Sequence, residues 1–422
     1  MTPRAAIVAV GDELLFGETV DTNSAWLGRE MTGLGVLVTR CYTIADSVEE
    51  IQDAVAAAAR VADLVLITGG LGPTRDDLTR DAVADLYGRP LREDPDLLSA
   101  LEARFAARGY DRLPEPNRTQ ACVPEGARVL TNRHGTAPGL ALEERGVLVV
   151  LLPGVPREMR GIVGEELLPL LRERYADRLA SIRHRVLRTA GVAESRLSEL
   201  VDDALPADLG PVSIAFLPDA LGVDLRLTVR GSAGADAAAS LDQVEALLAP
   251  VVEPWRFEAD SGDLAEAVID ALRSRGATLG VGESCTGGLL GYRITRIAGV
   301  SDVLLGGVVA YANAAKQDLL GVPEEEIERH GAVSEEVARR LAEGARRVFG
   351  ADVGIGITGI AGPGGGSAEK PVGTVWTAVA FEDDLVTSHS LFSGDREGIQ
   401  VRAAQHALRL LHDRLRATVG DP

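Results

Sequence analysis

The chain has 422 residues, enough for two or three domains, and is 46% hydrophobic and 25% charged, a globular composition. It carries 43 basic and 63 acidic side chains, a formal charge of −20, and neither the first 258 residues nor the remainder is basic. That balance argues against a nucleic acid or an anionic membrane as partner.

Of the 43 basic residues only Lys316 and Lys370 are lysine. Neither stands in a Walker A loop or a kinase V-A-I-K strand. Cys41, Cys122 and Cys285 are isolated, which suits a reducing cytoplasm, and no H-x-x-x-H spacing offers a zincin site. Met1–Arg4 lead directly into a strand-like run, so no signal peptide is expected. No apolar stretch reaches the ~18 residues of a membrane span. The expected location is cytoplasmic.

In chain order, Ala5–Val10 reads as a buried strand, Asn23–Leu34 as a helix ended by Gly35, and Val36–Thr43 as a strand. Val48–Val61 is an Ala-rich helix and Leu64–Thr68 a strand. Leu78–Tyr87 and Asp96–Arg108 read as helices, Val147–Leu152 as a strand and Pro156–Arg174 as a helix. This alternation predicts a mainly parallel sheet covered on both faces.

The rhythm then changes. Arg183–Thr189, Val212–Leu217, Val223–Arg230 and Val252–Phe257 read as strands, with helices over Ser195–Ala204 and Ala235–Leu248. This is the β-α-β-β-α-β order of a ferredoxin-like unit, read as connecting or dimerising. The Ala/Gly/Ser stretch Gly231–Ser240 could instead be a flexible linker.

After a polar break at Glu258–Asp263, a third unit follows. Its strands are expected at Thr278–Gly282, Gly307–Tyr311, Val353–Thr358, Thr374–Phe381 and Leu385–Phe392. Its helices are expected at Leu264–Arg275, Gly287–Ile297, Ala314–Leu320, Ser334–Phe349 and Arg396–Leu415, with Ser334 as an N-cap. The predicted boundaries are 1–174, 175–258 and 259–422, and the fold class is α/β with a small α+β middle domain.

Chemistry concentrates at strand-to-helix turns. Gly282-Glu283-Ser284-Cys285-Thr286-Gly287-Gly288 places a hydroxyl and a thiol at a helix start, where free N–H groups can hold an anion. Ser284 needs a base. A desolvated lysine can serve, and arginine cannot because it never deprotonates. Lys316, just after the strand ending at Tyr311, fits that role. Cys285 is a rival nucleophile without a His partner. Ser367 and Lys370 have S-x-x-K spacing, but three glycines before them and Pro371 after disfavour the helix it needs. A loop in which Lys370 meets an anionic substrate is the better reading. Thr358–Pro363 and Phe392–Arg396 are turns suited to ligand approach, with Arg396 at a helix start.

In the front unit, Thr68-Gly69-Gly70-Leu71-Gly72-Pro73-Thr74-Arg75-Asp76-Asp77 follows a strand and opens a helix. Its glycines could wrap a phosphate, and Asp76 and Asp77 suit a divalent ion or a helix cap. Gly11–Leu14, Asp21–Asn23 and Pro153–Met159 would bring polar groups to the same sheet edge.

ESCTGG (283–288), GVVAYANAAK (307–316), HGAVS (330–334), TGIAGP (358–363), KPVGTVW (370–376) and FSGDR (392–396) together resemble the C-terminal domain of the CinA family. That family includes amidases of nicotinamide mononucleotide (NMN). The resemblance implies Ser284 as nucleophile, Lys316 as base, Tyr311 assisting proton transfer and Arg396 holding substrate or orienting the base. It implies no cofactor for the amidase. Thr286, Gly287, Gly288, Asn313, Thr358, Gly359 and Gly362 are the candidate substrate contacts.

GDELLFGETVDTN, TGGLGPTRDDLT, NRTQA, GTAPG and LPGVPREM resemble the family's N-terminal half, which is similar to MoaB/MoeA-like molybdopterin-binding domains. This implies a metal-dependent ADP-ribose pyrophosphatase in some members. Gly69, Gly70, Gly72, Thr74 and Asn23 are the candidate nucleotide contacts, with Asp76 and Asp77 for a divalent ion. The alternatives are a non-catalytic nucleotide or pterin module, or a competence or DNA-damage partner role. The implied ligands are NMN and ADP-ribose, and the implied assembly is a homodimer.

Overall fold

The computed structural model describes residues 2–179, 182–230 and 234–417. They form two compact units, residues 1–183 with 229–239 and residues 184–228 with 240–422.

The first unit carries a six-stranded sheet. Its strands are β1 (Arg4–Val10), β2 (Leu37–Ile44), β3 (Leu64–Thr68), β6 (Arg128–Leu130), β7 (Gly139–Glu144) and β8 (Val147–Leu152), ordered β2-β1-β3-β8-β7-β6. The first four run parallel, and β7 and β6 add antiparallel strands at one side. Two short strands, β4 (Leu91–Glu93) and β5 (Cys122–Pro124), pair separately. Alternate residues of β1 enter opposite cores. Ala5 and Ile7 join one cluster, and Ala6, Val8 and Val10 the other. The continuous apolar run is therefore the mark of a strand buried on both faces. The helix Thr22–Leu34 starts where the Asp21 carboxylate accepts from Ser24 N and stops at Gly35, whose φ of 92° only glycine adopts readily. The expected helix Pro156–Arg174 is built as three consecutive stretches, with a π-helical turn over Val163–Leu167.

The second unit holds most of a four-stranded sheet of β9 (Ile182–Thr189), β10 (Val212–Pro218), β11 (Val223–Arg230) and β12 (Arg256–Phe257), ordered β10-β11-β9-β12. With helices Glu194–Ala204 and Gly234–Val252 this keeps the expected β-α-β-β-α-β order. The last strand is two residues long because the helix runs through Pro250 to Val252. Of the linker candidate Gly231–Ser240, residues 231–233 lie outside the described residues and 234–240 are helical.

Its larger sheet contains β13 (Leu279–Glu283), β14 (Leu304–Val309), β15 (Val353–Gly359), β16 (Thr374–Ala380) and β17 (Leu385–Leu391), ordered β14-β13-β15-β16-β17. The first three strands are parallel and the last two antiparallel. Helices Leu264–Arg273, Leu289–Thr295 and Arg396–Ala417 bury one face. The helix Glu335–Phe349 lies on the other, capped by Ser334 Oγ accepting from Val337 N. Gly280, Gly282, Gly354 and Gly356 let it lie that close. A Cβ on any of them would meet a carbonyl oxygen of this helix at 2.0–2.9 Å. The short helix Glu324–His330 was not expected from the sequence. No helix among the described residues is long and apolar enough to cross a membrane.

Candidate functional site

The three parallel strands of the back sheet end at one edge. Ser284 follows β13 and its amide donates to Ile357 O of β15 at 3.0 Å, while Ala310 N donates to Glu283 O at 2.7 Å. Ser284 therefore sits between the carboxyl ends of β14 and β15, where open α/β sheets receive ligands. It is 7% exposed, and the Thr286 hydroxyl beside it is buried without a hydrogen-bond partner.

The helix start is already partly filled. The buried Glu283 carboxylate accepts from Gly288 N (3.1 Å), Leu290 N (3.1 Å) and Gly291 N (2.8 Å). The expectation that these N–H groups await an external anion is therefore corrected, because the chain supplies its own. Gly287 N donates to Ser284 O. The amides of Cys285 and Thr286 lie outside this capping. Gly287 and Gly288 take φ of 64° and 97° to make the bend.

Cys285 is held by Gln400, whose Nε2 donates to the Cys285 carbonyl at 2.8 Å. Burial pushes its thiol up to about 12, with Glu283 adding and Lys316 and Arg396 opposing. A thiol so placed stays protonated and is a poor nucleophile. Glu283, Lys316 and Arg396 are thus near enough to act electrically on this thiol.

Lys316 lies in the first turns of the helix Asn313–Leu320 and is 2% exposed. Its Nζ donates to Tyr311 O at 3.0 Å, and no carboxylate pairs with it among the described residues. Burial holds its pKa below the ordinary lysine range. Tyr311 is a junction, since its hydroxyl accepts from Arg396 Nη2 at 2.6 Å. Arg396 opens the last helix and also donates to Gly362 O at 2.6 Å.

The structure thus brings Ser284, Thr286, Lys316, Tyr311, Arg396 and Gly362 to one edge. Asn313 is exposed at the start of the Lys316 helix. Thr358 faces elsewhere, its hydroxyl donating to Ala332 O at 2.7 Å. Gly359 is pressed against β16, where a Cβ would meet Thr374 O at 2.7 Å. Lys370 is not an open anion contact, because its Nζ donates to His330 O and Val333 O at 2.7 Å each.

The front unit has its own cleft, of about 390 Å³, at the carboxyl ends of β1, β3 and β8. Gly69 and Gly70 form its wall with φ of 109° and 65°, and a Cβ on Gly69 would strike Val10 O at 2.2 Å. Asp77 is committed to the loop. Its Oδ1 accepts from Gly72 N (2.6 Å), and its Oδ2 from Thr74 N (2.8 Å) and Thr74 Oγ1 (2.5 Å). Asn23 also ties strands together, donating to Thr68 Oγ1 at 3.1 Å and Gly154 O at 2.7 Å. Asp76 is exposed and lines the cleft with Glu13, Asp46 and Glu158, and among the described residues no lysine or arginine lines it. The Asp46 carboxyl is pushed up by burial and by Asp12, Glu13 and Asp76, against the hydrogen bond from the Asp12 amide. Sequence reasoning missed Asp46, Gln120 and Glu158, although Gln120 and Glu158 stood in quoted motifs.

Comparisons with known proteins cover almost the whole chain. Residues 6–173 match the probable molybdopterin binding domain, 184–257 the damage-inducible protein CinA KH domain, and 261–415 the CinA C-terminal domain. A CinA-like protein of Gemmatimonas aurantiaca is 49% identical over 98% of this chain and 97% of its own. A putative competence-damage inducible protein of Moorella thermoacetica is 44% identical over 98% and 99%. A CinA-like protein of Salinibacter ruber is 45% identical over 93% and 95%.

Proposed function

The chain belongs to the CinA family, and on that premise we propose that its back domain is a serine–lysine amidase that hydrolyses NMN to nicotinic acid mononucleotide and ammonia. The observation that carries this reading is Lys316, a buried lysine without a carboxylate partner whose burial favours the neutral form, beside the loop of Ser284. Ser284 Oγ attacks the carboxamide carbon while Lys316 Nζ takes its proton. The oxyanion meets the amides of Cys285 and Thr286, the part of the helix start that Glu283 leaves. The C–N bond breaks and Lys316 returns the proton to the departing ammonia. Water then hydrolyses the acyl-enzyme. Arg396 orients Tyr311 and presents positive charge to the anionic nucleotide.

The test is ammonia release from NMN without added metal. Ser284→Ala and Lys316→Arg should each abolish it with the fold intact. Loss with Cys285→Ala but not with Ser284→Ala would reverse the choice of nucleophile.

The front cleft favours a second activity, metal-dependent hydrolysis of ADP-ribose. Its surplus of carboxylates, with no cationic side chain lining it among the described residues, fits a divalent ion. Asp76, Glu13 and Asp46 supply the negative charge of the cleft, and Asp77 is spent on the loop. Among the described residues no three His, Cys, Asp or Glu side chains are grouped to hold a metal ion, so phosphate oxygens and water would make up most of its shell. The ion would supply the charge that neutralises the pyrophosphate. AMP formed only with added divalent ion supports this reading. ADP-ribose binding without AMP would make the unit a binding module. Binding of DNA at low salt would instead favour a DNA-damage partner role.

A further inference from the structure

Lys370 is one of only two lysines in the chain, and the amidase reading uses the other. Its ammonium is engaged twice. Nζ donates to His330 O and Val333 O at 2.7 Å each. The two carbonyls between them are held as well. Gly331 O accepts from Ser334 Oγ at 3.0 Å and Ala332 O from Thr358 Oγ1 at 2.7 Å. Four consecutive carbonyls thus accept from side chains. One of these side chains, Thr358, follows Ile357, the residue that receives the Ser284 amide.

The backbone of Lys370 is equally committed. Ser367 N donates to Lys370 O at 2.9 Å, and Lys370 N to Ser367 Oγ at 3.0 Å. This turn closes the glycine-rich run that starts at Gly362, whose carbonyl Arg396 holds. Lys370 therefore joins the loop 330–334, which grips the end of β15, to the loop 362–370, which is tied to Arg396.

We infer that Lys370 is a positioning residue of the amidase site. It fastens these two loops together and so keeps Gly362 and Arg396 set for an anionic nucleotide. The inference rests on the amidase reading above. A lysine is required because its donors diverge from one nitrogen and reach two carbonyls three residues apart. A planar guanidinium spreads its donors over a wider fork. The S-x-x-K spacing is accounted for without catalysis, because Ser367 Oγ meets the amide of Lys370 and not its ammonium.

The test compares Lys370→Arg and Lys370→Met with the full-length wild-type chain, by NMN kinetics across pH and by hydrogen exchange. The expected result is a KM raised by about tenfold or more, a smaller change in kcat, and an unmoved pH midpoint. Exchange should quicken by about tenfold at 330–334 and at Ser367, with the strands of both large sheets unchanged. Thr358→Val, which removes only the Ala332 bond, should quicken exchange at 330–334 in the same way. An unchanged KM with unchanged exchange at these loops would overturn the inference. So would exchange that rises evenly through the back domain, which marks a purely structural role. If the wild-type chain releases no ammonia from NMN, the amidase reading fails, and the exchange comparison still decides whether Lys370 fastens the loops.

Discussion

The front cleft and the back site share a layout and differ in electrical sign. Each lies at the carboxyl edge of parallel strands, on a glycine-rich turn leading into a helix. In each, the chain's own carboxylate takes the N–H groups that such a turn offers, Asp77 in front and Glu283 behind. Around the back turn stand Lys316 and Arg396. Glu13, Asp46, Asp76 and Glu158 line the front cleft, and among the described residues no basic side chain does, the exposed Arg75 of the turn lying outside the lining. A phosphate-bearing ligand can approach the first directly, whereas the second repels it until a cation intervenes. Glycine-rich turns alone do not distinguish these cases. The side chains that converge on them do.

The largest expected effect falls on the back site. Ser284→Ala and Lys316→Arg should lower ammonia release by about a thousandfold or more, measured as kcat/KM on NMN. The pH profile sharpens this. Burial favours neutral Lys316, and only the neutral form accepts a proton, so activity should rise with pH to a midpoint below the ordinary lysine range. Activity should fall as pH drops through that midpoint. A midpoint in the ordinary lysine range would break the assignment.

Next is the front cleft. Asp76→Asn should reduce divalent-dependent AMP formation from ADP-ribose by about 10- to 100-fold and leave ammonia release untouched. Equal loss of both activities would erase the contrast between the two sites. The smallest effects concern the capping carboxylates. Glu283→Gln should cost about 1–3 kcal/mol in urea unfolding of the back unit, because three amides lose a charged acceptor in a buried setting. Asp77→Asn, part-exposed, should cost about 1 kcal/mol in the front unit.

The parallel strands were legible because strands buried on both faces form continuous apolar runs, and β1, β3 and β8 stand within a residue of their expected bounds. The helix Glu324–His330 was not, since Ile327 is the only apolar side chain in its seven residues and leaves no period to read. The strand expected at Val252–Phe257 shrank because Val251 and Val252 complete a helix turn, a case where packing overrides β propensity. In the back site, residue types and spacing pointed to Ser284 and Lys316. The role of Glu283 was hidden because its carboxylate turns onto amides five to eight residues ahead, a matter of rotamer and not of spacing. The partners of Lys370 lie 37 and 40 residues away in sequence, so only the folded chain brings them together.

The closing helix Arg396–Ala417 has one further consequence. It begins at Arg396 in the site, and Arg409 and Arg416 near its far end bind the carbonyls of Ala190, Pro254 and Glu253 beside the small sheet. Twenty-two residues make a rod of about 33 Å. A tilt of about two degrees about its far end would swing Arg396 by about 1 Å, a misplacement of the size that costs a positioned reaction about a hundredfold. The small sheet thus holds the long arm of a lever whose tip is the guanidinium at the candidate site.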